Sequence, residues 1–220
     1  MKPDYTHIAI ILDRTGSMES IRDDVIGGFN AFLHEQKQLP GDATLTLVQF
    51  ESQNPYEVVH RFAPVQEVSA LTRETFVPRA STPLLDAIGR GINDVERSLA
   101  YIMESYRPSR LVFVVITDGQ ENASREFRRD QVLKMIRDKE ARCGWQFVFL
   151  SADLDAINDA LEHGFQAKAA MAFDKTGRGT HAAFAAFSDK VARYRQSIDS
   201  EVAFTSDDRA QQQAERKRCK

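Results

Sequence analysis

The sequence predicts an α/β fold: a doubly wound, mostly parallel six-stranded sheet with helices on both faces, strand order 3-2-1-4-5-6 and the third strand an antiparallel edge. Three observations lead there. Short apolar runs at residues 8–12 and 111–117 have no polar face, the pattern of strands buried in the middle of a parallel sheet. Segments with apolar residues at steps of three and four, the period of an amphipathic helix, alternate with such runs along the chain. Both runs also stop at an acid in a glycine-containing polar turn, Asp13 before Arg14-Thr15-Gly16-Ser17 and Asp118 before Gly119.

In order, residues 8–12 form the first strand. Ile21, Val25, Gly28 and Phe32 then fall at helical spacing, so residues 18–38 read as a helix ended by Leu39-Pro40-Gly41. Its paired Gly27-Gly28 reads as a place where the helix lies close to the sheet. Residues 44–50 alternate as a second strand and 57–62 as a third, and the link through Ser52, Asn54 and Pro55 suits a hairpin. Thr82 stands before Pro83 as a cap stands before a first helical turn. Leu85, Ile88, Ile92, Val95, Leu99 and Ile102 carry the helix that follows, until Pro108 ends it. The fourth strand spans 111–117, a helix lies near 129–141, a strand at 146–150, a short helix at 153–163 and a weaker last strand at 167–173. Phe184, Phe187, Val191, Tyr194 and Ile198 mark a final helix from a Thr180 cap. Five basic and three acidic residues follow from Asp207 onward, most simply a solvated tail or a frayed helix end. The chain thus divides into one domain over 1–203 and a polar, basic C-terminal tail over 204–220.

Composition removes several function classes. With 29 basic and 32 acidic side chains the net charge is −3, which provides no electrostatic footprint for nucleic acid or an anionic membrane surface. Cys143 and Cys219 form no disulfide framework and no zinc-ligand spacing. The first apolar run is too short for a signal-peptide core or a membrane span, so a reducing, cytoplasmic setting is expected.

In the predicted order the first and fourth strands are neighbours, and the connections reverse direction between them, which opens a crevice at their carboxyl ends. Asp13 and Asp118 end those two strands. Adjacent strands lie about 4.8 Å apart, close to the roughly 4 Å between opposite oxygens of an octahedral magnesium ion. Two carboxylates with the hydroxyls of Thr15, Ser17 and Thr82 make an all-oxygen set, the chemistry of magnesium, manganese or calcium; zinc, which prefers nitrogen and sulfur, is disfavoured. An ion held largely by hydroxyls and waters keeps its positive charge and an open position for a partner's carboxylate.

Asp13-Arg14-Thr15-Gly16-Ser17, Thr82 before Pro83-Leu84, and Thr117-Asp118-Gly119 resemble the three segments of the metal-ion-dependent adhesion site of von Willebrand factor type A (vWA) domains, integrin I domains among them. The resemblance covers most of residues 5–200, and Thr15 stands where the family usually has serine. It implies that Ser17 and Thr15 bind a metal directly, Asp13 and Asp118 directly or through water, and Thr82 directly in a ligand-competent state. It also implies a non-enzymatic module that captures an Asp or Glu side chain of a protein partner. The segments at 118–124 and 147–153 resemble small standalone members from bacteria and phages.

Other readings stand beside this one. Ser17 and Thr82 could be helix caps, Asp13 a turn acid and Asp118-Gly119 a loop signal. Asp13-Arg14-Thr15-Gly16-Ser17 also resembles the phosphorylation segment of haloacid dehalogenase-type phosphotransferases, with Asp13 as nucleophile and Asp118 as a magnesium ligand. Such enzymes supply a lysine before the second acid, and between Gly16 and Asp118 there is only Lys37. A structural subunit whose metal merely stiffens the loops is a third reading. Gly177-Arg178-Gly179-Thr180 reads as a loop and cap, and His7 and His60 as packed or exposed side chains. Oligomeric state stays open.

Overall fold

The computed structural model of the protein describes residues 1–153 and 165–218. Six strands, β1 (Lys2–Asp13), β2 (Asp42–Glu51), β3 (Asn54–Pro64), β4 (Pro108–Thr117), β5 (Gln146–Ser151) and β6 (Ala170–Ala172), form one sheet in the order β3-β2-β1-β4-β5-β6. Every neighbouring pair is parallel except β2 and β3, which run antiparallel through the hairpin. The predicted class, order and edge strand are therefore those observed.

Side chains alternate between faces along each strand, so two cores form. Ile8, Ile10, Leu12, Val112, Val114 and Ile116 pack against Val25, Phe29 and Phe32 of α1 (Arg22–Gln38) and Phe184, Phe187 and Val191 of α4 (Gly177–Arg195). Ala9, Ile11, Phe113 and Val115 face the other way, onto Ile88, Ile92 and Val95 of α2 (Leu84–Ala100) and Val132 and Ile136 of α3 (Arg129–Cys143). With helices on both faces the central strands carry no polar side, which is why β1 and β4 read as unbroken apolar runs.

Several local expectations give way to long-range contacts. The helix read over 18–38 begins as a 3-10 turn, Gly16–Ile21, before α1. Gly28 is not pressed on the sheet: a Cβ there would come within 2.4 Å of the Phe184 ring, so the glycine lets α1 approach α4. α2 stops at Ala100 rather than near Pro108, because the Tyr101 and Ile102 amides turn back to Ser98 and Leu99 and the chain re-enters the sheet. Apolar spacing continues past that point only by composition, and Tyr101 and Met103 are exposed. The last strand is cut to Ala170–Ala172, behind a 3-10 turn over Ala167–Ala169. The cap of α4 is Thr176, whose hydroxyl accepts the Gly179 amide at 3.1 Å, and Thr180 lies inside the helix. Ile198 falls beyond α4 and is exposed. The short helix read at 153–163 falls on residues outside the described ones, apart from Asp153.

Of the two readings of the last segment, solvated tail or helix end, its described part is the helical one, α5 (Ser206–Arg218). Arg209 donates to the carbonyls of Ala167, Lys168 and Ala170, Gln212 to that of Gly179, and Phe204 is buried. These bonds pin α5 to the turn before β6, to the first residue of that edge strand and to α4.

His7 shows how deep the sheet burial runs. Its ring stacks on Phe62 with centroids 3.6 Å apart, Nδ1 bonds Thr44 Oγ1 at 2.9 Å, and Nε2 has no partner. Burial pushes its pKa down to about 3, so the folded protein holds it neutral. The unfolded chain takes up that proton near pH 6.5, and stability present above that value is lost as pH falls toward 3. Between pH 7 and 5, denaturant melts should show His7→Phe losing about 2 kcal/mol less stability than the wild type. Equal losses would mean that His7 is already charged in the fold.

Candidate metal centre

The sheet register brings Leu12 of β1 beside Ile116 of β4, so the next residues, Asp13 and Thr117, meet at the carboxyl ends of the two strands. Asp13 is fully buried; its Oδ1 accepts the Thr15 amide at 2.7 Å and its Oδ2 the Thr117 hydroxyl at 2.5 Å. This turn sets the Thr15 and Ser17 hydroxyls 3.3 Å apart, and Ser17 Oγ donates to Asp118 Oδ1 at 2.6 Å. Asp13, Thr15, Ser17 and Asp118 are thus linked in one run of hydrogen bonds, the first of them through the Thr15 amide. Burial raises the Asp13 carboxyl to about 7; hydrogen bonds from Thr117 and Thr15 oppose that rise, and the Asp118 charge adds to it.

Thr82 reaches the same rim by another route. It is buried, and a Cβ built on Gly119 would stand 3.7 Å from Ser17 Oγ and 3.8 Å from Thr82 Oγ1, so both hydroxyls face that glycine. Thr82 is not the cap of α2. Pro83 occupies that position, while the Thr82 amide donates to Asn122 Oδ1 at 2.8 Å and the Asn122 amide to the Thr82 carbonyl at 3.1 Å. The first turn of α2 is satisfied from the loop after β4 instead. Glu121 accepts the Leu85 amide at 2.8 Å and Ser124 Oγ the Asp86 amide at 3.0 Å. In return, Asp86 accepts the amides of Arg125, Glu126 and Phe127 at 2.8 to 2.9 Å. This latch was legible only as a polar loop, because its partners are some forty residues apart.

A second brace holds the loop after β1. The Arg79 amide bonds the Arg14 carbonyl at 2.9 Å and the Gly16 amide the Ala80 carbonyl at 3.1 Å. Ala80 takes a φ of 58°, a conformation that costs a non-glycine residue and is held here by its surroundings. The buried Arg14 guanidinium is engaged by Gln49, Glu51 and Glu57, so its contacts run toward β2 and β3.

Lys175, which the sequence reading passed over, donates from Nζ to Asp118 Oδ2 at 2.9 Å. Its signal was positional: Asp174-Lys175 follows the sixth strand as Asp13 and Asp118 follow or end the first and fourth.

All five residues singled out in the sequence therefore meet on one rim. Among the described residues no three His, Cys, Asp or Glu side chains gather, and the five residues expected from the sequence offer two carboxylates and three hydroxyls. That set suits a hard dication. The buried Asp13 carboxylate, beside a second acid, is the group such an ion would neutralise.

No protein-family model and no curated protein matches the chain. Solved structures do. A von Willebrand factor type A protein from Catenulispora acidiphila aligns at a TM-score of 0.59 and 12% identity over 86% of this chain and 43% of its own. The open conformation of the pilus adhesin SpaC from Lactobacillus rhamnosus GG aligns at 0.66 and 14% over 88% and 30%. Manganese-loaded TRAP protein from Plasmodium vivax aligns at 0.57 and 14% over 80% and 70%. At these identities the likeness establishes a shared fold, and this chain spans less than half the length of the first two.

Proposed function

We propose, starting from the von Willebrand factor type A fold of this chain, that it is a protein-binding module that captures an acidic side chain of a partner through a divalent cation. Asp13, Thr15, Ser17, Thr82 and Asp118 would hold the ion, magnesium or manganese, with calcium as a further candidate. The observation that carries this reading is the convergence of Ser17, Thr82 and Asp118 around Gly119, at the ends of two neighbouring strands. The bound ion would supply a positive charge and an exchangeable position for a carboxylate oxygen. This chain's own groups supply the rest: Thr117 and the Thr15 amide orient Asp13, and the Asn122 clamp holds the Thr82 backbone. The manganese-loaded state of the TRAP protein, which shares the fold, supports a divalent ion here.

Binding is favoured over phosphotransfer by the state of Asp13. Its two oxygens accept from the Thr15 amide and the Thr117 hydroxyl, and among the described hydrogen bonds no lysine reaches it to hold a phosphoryl group. Lys175 contacts the other acid. Among the described residues no helix is long and apolar enough to cross a membrane, and Cys143 is an exposed free thiol, which fits a reducing compartment such as the cytoplasm.

The test is affinity capture with the tagged full chain in magnesium buffer, in EDTA, and with Asp118→Ala. A partner retained in magnesium and lost in both other arms is the expected result. A partner retained equally in all three would leave the ion a loop stiffener and overturn capture through it.

A further inference from the structure

We propose that Lys175 is a built-in competitor for the metal: its ammonium group neutralises Asp118 when no ion is bound and must leave before a dication can use that carboxylate. The inference rests on the metal-site reading above and adds a control to it. Asp118 is buried and has two oxygens, one bonded by Ser17 and the other by Lys175. A hydroxyl can turn its hydrogen away and present a lone pair to a cation. An ammonium group has only donors and a full positive charge, so it cannot share the oxygen with a neighbouring dication without repulsion.

The surroundings let the side chain leave while the backbone stays. Thr176 caps α4, its hydroxyl accepting the Gly179 amide, and the backbone at Gly177 passes close to the Asp24 carboxylate of α1, so the chain after Lys175 is fixed as the start of a helix. The Lys175 side chain, in contrast, is 40% exposed, and its four-carbon stem can carry the ammonium into water. The ion concentration at which the site loads is then set partly by the strength of this one partly exposed ion pair. That pair is sensitive to ionic strength, so the threshold is too.

The experiment is a manganese titration, followed by electron paramagnetic resonance of the free ion, on the wild type, Lys175→Gln, Arg178→Gln and Asp118→Ala. Arg178 is an exposed cation three residues along, with no contact to Asp118 among its described bonds, and reports the general field. Lys175→Gln is expected to bind manganese about three- to fivefold tighter than wild type, the upper end of the worth of a partly exposed pair. Arg178→Gln should stay within about twofold, and high salt should shrink the Lys175→Gln gain. In parallel, amine-reactive labelling of Lys175 in the wild type, read by peptide mass spectrometry, should rise on saturation with manganese. Equal affinity of Lys175→Gln and wild type, or an equal gain in Arg178→Gln, overturns the competitor while leaving the metal site intact. Failure of the wild type and Lys175→Gln alike to bind better than Asp118→Ala overturns both.

Discussion

Asp118→Ala is expected to weaken manganese binding by at least about a hundredfold while leaving the protein folded. Only two of the five proposed ligands carry charge, and at about 4 Å one unit charge contributes roughly 4 kcal/mol at an effective dielectric of 20, more for a dication. A hundredfold loss is close to 3 kcal/mol and is thus a conservative figure. Asp118 is the right acid to remove. Its two partners, Ser17 Oγ and Lys175 Nζ, sit on exposed residues and can turn to water. Asp13→Ala would instead orphan the Thr15 amide inside the fold and leave the Thr117 hydroxyl only the Gly119 carbonyl at 3.2 Å, mixing lost stability with lost binding. Calorimetric titration with magnesium, manganese, calcium and zinc, alongside circular dichroism, checks the prediction. An Asp118→Ala protein that takes up manganese as the wild type does would place any bound ion elsewhere.

Asp86→Ala carries the largest expected cost in stability, about 3 kcal/mol or more. One buried carboxylate satisfies three consecutive backbone amides, Arg125, Glu126 and Phe127, and each amide left without a partner costs about 1–3 kcal/mol. Arg125 and Glu126 are exposed, so water recovers part of that. For a chain of this size the loss corresponds to a fall in melting temperature of about 6–12 °C. Asp86→Asn, which keeps one acceptor oxygen, should lose about half as much. The same loop carries Asn122, which clamps Thr82, so Asp86→Ala should also weaken manganese binding severalfold although Asp86 lies outside the proposed ligand set. A melting shift under about 2 °C would show that the three amides find other partners and that the latch is not what holds the loop.

The contrast between these two variants shows how unevenly the site could be read. Asp13, Thr15, Ser17 and Asp118 announce themselves, since each lies within five residues of the end of an apolar run and strand ends are recognisable from composition. Thr82 stood out through the proline beside it; the cap that helix-start statistics assign to it does not form, because Glu121 and Ser124 take those amides. Lys175 carried only a positional mark, its place just after the last expected strand. A lysine in a polar loop is ordinary until the sheet brings the ends of β6 and β4 to one rim.

What the sequence determined by itself is what depends on near neighbours. Hydrophobic runs without a polar side require burial on both faces, that requires helices on both faces, and the right-handed crossovers then leave few strand orders to choose from. Tertiary structure alone decided which groups satisfy one another across long separations: Gly28 against Phe184, Asp86 beneath the loop after β4, Arg209 and Gln212 pinning α5, and Lys175 on Asp118. The reason is that a buried polar or unusually close contact is selected by whatever lies opposite it in space, and periodicity along the chain holds no record of that partner.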